Sequence, residues 1–329
     1  MSVNIFNKQV FAINDENTFN SVAIEIFRYQ YHANSLYRQY VDLLKTDVQH
    51  ITHYSAIPFL PISIFKSHAV VCGTTLPQQF FISSGTGGTQ SKHYILDVTV
   101  YIESFTRGFH YFYGNPEKYC LLALLPSYFE RKNSSLVFMV NHLMQLSQHP
   151  LNGFYLNEHN QLYEKLVLLN ESNQPTLLLG VTFALLDFAA KKYKLHFPTL
   201  TLMETGGMKG RRTEPVREEV HQILSNAFGV NAIHSEYGMT EIFSQAYSAQ
   251  NGQFNCPPWM KVLTRDPHDP LSLLAAGKVG GINIIDLANY NTCSFIASQD
   301  LGKVSTDGTF EISGRFDASD IRGCSLLTA

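Results

Sequence analysis

Residues 82–92 read Ile-Ser-Ser-Gly-Thr-Gly-Gly-Thr-Gln-Ser-Lys and directly follow the apolar pair Phe80-Phe81. Glycines allow positive φ and a close approach of backbone N–H groups to a ligand, and hydroxyl side chains add donors to an anion. Lys92 supplies a point charge that suits a polyphosphate. The spacing fits neither common phosphate loop, because Gln90 and Ser91 stand between the glycines and the lysine. The stretch by itself fits a phosphate-binding loop and a flexible surface turn about equally.

Short apolar runs and amphipathic stretches alternate along the chain around this loop. The apolar runs lie near 79–82, 119–125, 177–181, 200–203, 230–234 and 281–285, and the amphipathic stretches lie near 96–112, 134–148, 182–194 and 214–228. This alternation predicts an α/β fold with a mainly parallel sheet and flanking helices. Ligands of such sheets bind where loops leave the carboxyl ends of the strands.

Three loops are predicted to lie at such strand ends. The first is the 82–92 loop, the second runs from Glu204 to Lys209, and the third runs from Glu236 to Glu241. Because the carboxyl ends of parallel strands meet at one edge of a sheet, the three loops together predict a single ligand site there.

The composition limits the domain number and the kinds of partner. The chain has 329 residues, of which 45% are apolar and 16% charged, and its net charge is -3, so neither nucleic acid nor an anionic membrane surface is an expected partner. No 18-residue apolar run and no basic leader with an apolar stretch is present, which predicts a cytoplasmic protein without a membrane span. The predicted organisation is a large domain over 1–313 and a short tail over 314–329, with a helical part at 1–60, an α/β core at 61–258 and a β-rich subdomain at 259–313.

The five cysteines are widely spaced and odd in number, which argues against a disulfide framework and against a zinc site. Cys72, Cys120, Cys256 and Cys293 stand in apolar or turn sequences and are predicted to be packing residues. Cys324, five residues from the end, has no such context.

The ordered motifs resemble those of the acyl-adenylate-forming superfamily, which includes acyl- and aryl-CoA ligases. Ser83 to Lys92 is similar to the family's ATP loop, although Gly87-Gly88 replaces the usual Thr-Gly. Tyr237 to Glu241 matches the aromatic-Gly-x-Thr-Glu motif, and Asp300 resembles the ribose-binding aspartate. Gly314-Arg315-Phe316-Asp317 is similar to the hinge motif that precedes a mobile C-terminal domain in that superfamily.

The resemblance implies ATP and magnesium as cofactors and a role for each matched residue. Glu241 is expected to hold the metal, Thr240 to contact the α-phosphate, and Tyr237 to face adenine. Asp300 and Arg315 are expected to hold the ribose hydroxyls. The implied nucleotide-binding set is Ser83, Ser84, Gly85, Thr86, Gly87, Gly88, Thr89, Gly206, Gly207, Glu236, Tyr237, Gly238, Met239, Asp300 and Arg315, and the implied catalytic set is Cys324, Thr240, Glu241 and Lys92.

A narrower resemblance connects the chain with the acyl-protein synthetases of the bacterial luminescence fatty-acid reductase complex. It rests on Pro61 to Lys66, Ser244-Gln245, Pro257 to Met260 and the ending 314–324. It implies that a fatty or other carboxylic acid is activated with ATP, accepted by Cys324 as a thioester, and passed to a reductase-like or acyl-carrier partner. The oligomeric state stays open.

Two alternatives remain at this point. The chain stops shortly after the hinge motif, whereas the superfamily's mobile domain normally supplies a lysine for adenylation, so Lys92, Lys209 or a partner is expected to replace it. One alternative is therefore a nucleotide-binding subunit that is non-catalytic or depends on a partner. The other is a CoA ligase of the phenylacetate type.

Six aromatic and apolar residues of the helical stretches are candidates for an acyl pocket, although their spacing is that of a packed core. They are Phe105, Phe109, Tyr111, Phe112, Phe138 and Met139.

Overall fold

The computed structural model describes residues 4–84, 89–127, 130–206 and 216–316, and these residues divide between two compact units. Unit 1 takes the described residues within Met1–Gln79, His93–Val100 and Asn255–Ala329, and unit 2 takes those within Phe80–Lys92 and Tyr101–Phe254. The predicted helical part and β-rich subdomain thus both contribute to unit 1. The predicted domain boundaries themselves stay a prediction.

Unit 1 begins with three helices, two of which start at a polar capping side chain. They are α1 (Asn4–Phe11), α2 (Glu16–Ala33) and α3 (Ser35–Leu43). Asp15 caps α2 by accepting from the N–H of Thr18, and Asn34 accepts from the N–H of Tyr37 to start α3. Within the part predicted to be helical, Asn34 therefore ends one helix and begins the next.

The sheet of unit 1 is mixed. Its path is β1-β12-β11-β10, with β13 also paired to β12, and only the β1–β12 pair is parallel. The strands are β1 (Leu60–Pro61), β10 (Met260–Arg265), β11 (Val279–Asp286), β12 (Phe295–Val304) and β13 (Phe310–Arg315). The β-rich character predicted after residue 259 is present, but β1 joins it from the N-terminal part.

A separate two-stranded sheet is formed by β2 (Gln79–Ile82) and β3 (Lys92–Ile95). The chain passes between the two units within these strands. The 82–92 loop connects them, so the prediction that this loop leaves a strand of the parallel sheet is wrong. Phe81 is buried while Phe80 is partly exposed, which is the alternation of a half-buried hairpin strand rather than of a central parallel strand.

Unit 2 contains a six-stranded sheet in the order β5-β4-β6-β7-β8-β9, parallel throughout except for the antiparallel β8–β9 pair. Every residue of β4 and β6 is buried, as expected for central strands covered by helices on both faces. This confirms the predicted α/β fold. The strands are β4 (Cys120–Leu124), β5 (Gly153–Phe154), β6 (Thr176–Val181), β7 (Thr201–Thr205), β8 (His234–Tyr237) and β9 (Ala246–Ser248). The helices are α4 (Val98–Tyr113), which belongs to unit 2 from Tyr101 on, α5 (Ser135–Ser147), α6 (His159–Glu171), α7 (Thr182–Ala189) and α8 (Arg217–Phe228).

One strand of this sheet lies later in the chain than predicted. The apolar run 230–234 lies mostly before β8, which begins at His234 opposite Met203 of β7. Gly229 ends α8 with a φ of 67°, and the residues after it lead to the sheet edge. The strand itself is largely polar, so Glu236 and Tyr237 belong to β8 and not to the loop that follows it.

Within the described ranges, every helix is too short or too polar to cross a lipid bilayer.

Candidate active site

The carboxyl ends of β7 and β8 lie side by side in unit 2. The two strands are parallel neighbours, and Thr205 at the end of β7 stands opposite Glu236 in β8. Two of the three predicted loops therefore leave adjacent strands at the same sheet edge. Gly206, at the end of β7, has a φ of 63°, while Gly207 to Lys209 lie outside the described residues.

Glu236 is buried beneath the turn that follows β8. Its side chain accepts a hydrogen bond from the Thr205 hydroxyl, and its residue exposure is 7%. A Cβ added to Gly238 would collide with Glu236 Oε1, so a larger residue at position 238 would force the Glu236 side chain to move. Burial raises the pKa of Glu236 to about 7, with the nearby Glu204 adding to the increase against the bond from Thr205.

Glu204 lies one strand residue before Thr205, and its side chain is 13% exposed. It accepts hydrogen bonds from the hydroxyls of Thr182 (2.6 Å) and Ser235 (2.9 Å), and His221 Nε2 lies 3.7 Å from its Oε1. Burial acts to raise the pKa of Glu204, but His221 and the two hydroxyls outweigh it, so the pKa is lowered overall. The Thr182 hydroxyl shares its single proton between Glu204 and the carbonyl of Gly206, and so links the residue after β6 to the residue after β7.

Glu241 connects the third loop with the end of the 82–92 loop. Its carboxylate accepts a hydrogen bond from the hydroxyl of Ser91, and both residues are buried. This contact lies within unit 2. A side-chain hydrogen bond therefore joins the 82–92 loop and the loop after β8, as predicted. Only the loop after β8 leaves a strand of the six-stranded sheet.

The base of the 82–92 loop is closed by hydrogen bonds between its two ends. The N–H of Ser83 donates to the carbonyl of Ser91 (3.1 Å), the N–H of Ser91 donates to the Ser83 hydroxyl (3.0 Å), and Gln90 Nε2 donates to the Ser83 carbonyl (2.9 Å). Ser84 and Thr89 continue the loop from this base. Gly85, Thr86, Gly87 and Gly88 lie outside the described residues.

The remaining predicted residues of unit 2 are at least partly exposed. Lys92 is exposed, with its Nζ 5.8 Å from the centre of the Phe80 ring. Tyr237 is half-buried, and its ring centre is 5.8 Å from that of Phe254. Met239 and Thr240 are also half-buried in the turn between Gly238 and Glu241. These positions leave the aromatic, hydroxyl and ammonium groups accessible to a ligand.

Asp300 and Arg315 meet in unit 1. They are opposite each other on β12 and β13, and Arg315 Nε donates to Asp300 Oδ1 at 2.9 Å. The Asp300 side chain is 8% exposed and that of Arg315 is 73% exposed. The pair was predicted as a ribose-binding set, and its two members are indeed in contact. The hinge motif continues only to Phe316 in the described chain.

Four of the five cysteines lie in described segments. Cys72, Cys120 and Cys293 are buried and Cys256 is half-buried. Burial raises the pKa of Cys120, Cys256 and Cys293 to about 12 and that of Cys72 further. Such thiols are weak nucleophiles near neutral pH, as expected for packing residues. Cys324 lies outside the described residues.

The apolar interior of unit 2 contains a small cavity of about 20 Å³, lined in part by Phe109, Met139 and Tyr247. This volume is close to what one water molecule needs, so the cavity is too small for an acyl chain. Phe105, Phe109 and Met139 are buried, as expected for core residues, and Tyr111 is 61% exposed.

Magnesium requires oxygen ligands. In the part of the chain that the structure describes, no three histidine, cysteine, aspartate or glutamate side chains come together as metal ligands. Mg²⁺ bound to a nucleotide needs only one or two protein carboxylates, because phosphates and water fill the other positions. The buried carboxylate of Glu241 fits that requirement.

Comparison with known proteins identifies the family. The model of the acyl-protein synthetase family LuxE matches residues 4–329, which is nearly the whole chain. The chain belongs to this family. Among curated proteins, no sequence matches the chain.

Solved structures of adenylate-forming enzymes share the fold of this LuxE family member. A 2-hydroxyisobutyryl-CoA ligase in complex with 2-HIB-AMP and CoA has a TM-score of 0.69 at 15% identity, over 92% of this chain and 70% of the ligase. ATP-bound MatB from Rhodopseudomonas palustris has a TM-score of 0.54 at 15% identity, over 72% of this chain and 47% of MatB. The matched region thus spans about half the length of MatB. At this identity the similarity establishes the α/β fold of the superfamily's large domain.

Two features of the site were missed from the sequence. Ser91 was treated only as a spacer before Lys92, and the link between Thr182 and Glu204 was not predicted. Ser91 and Glu241 are separated by 150 positions, and no local pattern connects them. The only local signal for Thr182 is its position directly after β6, at the carboxyl end of a parallel strand.

Proposed function

We propose that this LuxE family member activates a fatty acid with ATP and transfers the acyl group through Cys324 to a protein partner. In the first step a carboxylate oxygen attacks the α-phosphorus of ATP, a new O–P bond forms, and pyrophosphate leaves. In the second step the Cys324 thiolate attacks the acyl carbon, the C–O bond to AMP breaks, and a thioester forms. A nucleophile of the partner then takes the acyl group and regenerates the thiol.

The observation that carries the proposal is the hydrogen bond between Ser91 and Glu241. It holds the end of the glycine-rich loop next to the turn Tyr237 to Glu241, and family membership over nearly the whole chain gives that arrangement its chemical meaning. In this arrangement the glycine-rich loop binds the same ATP triphosphate whose α-phosphate Thr240 is predicted to contact.

ATP is the nucleotide favoured by the solved relatives, since MatB was solved with ATP bound. Tyr237 offers a half-buried aromatic face for adenine, and the glycines at the ends of β7 and β8 leave backbone accessible beside it. Asp300 and Arg315 are proposed to hold the ribose hydroxyls. Their ion pair orients the carboxylate for that role.

Magnesium is proposed to be held by Glu241, and it would neutralise charge on the triphosphate when bound. The Ser91 hydroxyl orients the carboxylate. Lys92 is proposed as the cation that stabilises the leaving pyrophosphate, since its ammonium group is exposed at the end of the loop. Catalysis then rests on positioning and on charge neutralisation at phosphorus.

Cys324 is proposed as the acyl acceptor because the four described cysteines are poor candidates. Their raised pKa values keep the thiols protonated near neutral pH. A reductase-like protein or an acyl carrier protein is the proposed partner, because a thioester remains reactive enough to pass its acyl group onward.

The test combines two assays on the full chain with ATP and Mg²⁺. Pyrophosphate–ATP exchange is measured with a panel of carboxylic acids, and acyl labelling of the protein is measured with a radiolabelled acid. We expect exchange with long-chain fatty acids in wild type and in Cys324→Ser, and labelling in wild type only. Cys256→Ser is the matched control and should keep both activities. Exchange with no acid contradicts the first step, labelling that persists in Cys324→Ser contradicts the second, and formation of acyl-CoA by the isolated chain favours a CoA ligase.

A further inference from the structure

A buried carboxyl group joins the carboxyl ends of β7 and β8 at the edge of the unit 2 sheet. Glu236 stands directly opposite Thr205 in the parallel β7–β8 pair, and the Thr205 hydroxyl donates to its Oε2. Thr205 precedes Gly206, and Glu236 precedes Tyr237. One hydrogen bond therefore links the positions from which both loops start.

The same carboxyl group also supports the turn from below. Its Oε1 lies next to the position that a Cβ at residue 238 would take. Gly238 itself is exposed, whereas Glu236 is 7% exposed. The side chain thus lies under the turn, and the surface of the turn is formed by other residues.

The charged and titratable neighbours of Glu236 do not neutralise it. Glu204 is on the adjacent strand and is itself acidic, and Tyr101, Tyr113 and Tyr247 approach from α4 and β9. Burial raises the pKa of each of these tyrosines, so they remain uncharged near neutral pH. Ionisation of Glu236 would therefore add an unshielded negative charge directly beneath the turn.

We propose that Glu236 is a positioning residue, which fixes the Tyr237 to Glu241 turn against the end of β7 and does not itself contact the nucleotide. This inference rests on the proposed function, since the turn matters only if it binds ATP. Its role differs from the direct contact that the sequence predicted. The neutral carboxyl group is the form that suits this position, because an anion there repels the triphosphate.

Three variants separate positioning from contact. Glu236→Gln keeps the shape and an oxygen that can accept from Thr205, Glu236→Ala removes both supports, and Thr205→Val removes only the hydrogen bond. We expect Glu236→Ala to raise the KM for ATP about tenfold to hundredfold, since small displacements of a reactive arrangement are costly, and to leave the KM for the acid unchanged. Thr205→Val should show a smaller effect in the same direction, and the double variant should be no worse than Glu236→Ala. Glu164→Gln, an exposed substitution on α6, is the control.

The pH dependence gives a readout that a purely structural role would not move. The KM for ATP is measured for wild type and for Glu236→Gln in parallel, and the ratio of the two removes the titration of ATP itself. We expect the ratio of wild type to Glu236→Gln to rise as the pH passes about 7, where the buried carboxyl group ionises. A ratio that is independent of pH, or a KM for ATP unchanged in Glu236→Ala, overturns the inference.

Direct binding of a non-hydrolysable ATP analogue, measured by calorimetry, keeps the two proposals distinguishable. If wild type shows no acid-dependent exchange, the proposed adenylation is wrong, and the analogue affinities of the same variants still test the role of Glu236. If wild type exchanges normally and the variants bind the analogue as tightly as wild type does, the positioning role alone is wrong. The circular dichroism spectrum of Glu236→Gln should match that of wild type, because the amide preserves the packing of the side chain.

Discussion

The hydrogen bond between Ser91 and Glu241 gives the sharpest quantitative prediction. Ser91→Ala removes the hydroxyl that donates to a buried carboxylate and leaves the loop base intact, because the bonds between Ser91 and Ser83 use only the backbone of Ser91. Removing one partner of a buried hydrogen bond costs about 1–3 kcal/mol, so the free energy of unfolding should fall by that amount. If Glu241 also orients the metal for catalysis, the exchange rate should fall about 10²-fold.

The assays are urea unfolding and pyrophosphate exchange, and the control is Ser104→Ala. Ser104 is equally buried and shares a neutral hydrogen bond with Ser244 at 2.9 Å, so its loss should cost about 0.5–1.5 kcal/mol and leave the exchange rate unchanged. A double-mutant cycle of Ser91→Ala with Glu241→Gln isolates the pair. A coupling energy of about 1–3 kcal/mol is expected for residues in contact. A value below about 0.5 kcal/mol, as for distant sites, would refute the reasoning.

Three further predictions follow from buried polar groups and close contacts. Arg265→Met in unit 1 should lower the free energy of unfolding by about 3 kcal/mol or more, as measured by urea unfolding. The reason is that the buried guanidinium donates three hydrogen bonds, to Ile282 O (2.6 Å), Asn283 Oδ1 (2.8 Å) and Ser298 O (2.5 Å). As the pH rises from about 4.5 to about 7, the free energy of unfolding of wild type should fall by about 3 kcal/mol relative to that of Glu236→Gln, because folded Glu236 keeps a proton that the unfolded chain releases. If the free energies of unfolding of the two proteins change in parallel with pH, this prediction is wrong. Gly238→Ala should weaken ATP-analogue binding, since its Cβ would collide with Glu236 Oε1 and the Glu236 side chain would have to move from beneath the turn. Calorimetry measures the effect, and the control is Gly108→Ala in α4, whose added Cβ meets no atom within 4 Å.

The central part of unit 2 was predictable because β4 and β6 are mostly apolar. The runs at β4 and β6 are buried along their whole length, and the amphipathic stretches near 96–112 and 134–148 became α4 and α5. These signals are local, so a single sequence contains them.

Two strand positions were not predictable from local patterns. β8 carries His234, Ser235 and Glu236, whose polar groups are satisfied by Tyr113, Glu204 and Thr205 from other elements. Such partners are tertiary, and hydrophobicity alone therefore placed the strand too early. β2 has a strand-like sequence, but nothing within it indicates that its partner is β3 instead of the parallel sheet.

The candidate site was predictable as a set of motifs and not as an arrangement. The sequence indicated Glu241, Tyr237 and Asp300 through their motifs, and the structure adds contacts that span long separations, such as Ser91 with Glu241 and Arg315 with Asp300. Glu236 illustrates the difference. Its position in the motif suggested a ligand contact, whereas its burial beneath Gly238 supports a role in holding the turn.

The most direct test of the account follows an oxygen atom. The full chain is incubated with ATP, Mg²⁺ and a fatty acid labelled with oxygen-18 in its carboxylate, and the released AMP is analysed by mass spectrometry. An acyl-adenylate intermediate places one carboxylate oxygen on phosphorus, and attack of the Cys324 thiolate on the acyl carbon leaves that oxygen in AMP. We therefore predict AMP that carries one oxygen-18 atom. Unlabelled AMP, or label found in inorganic phosphate with ADP as the other product, would contradict the account.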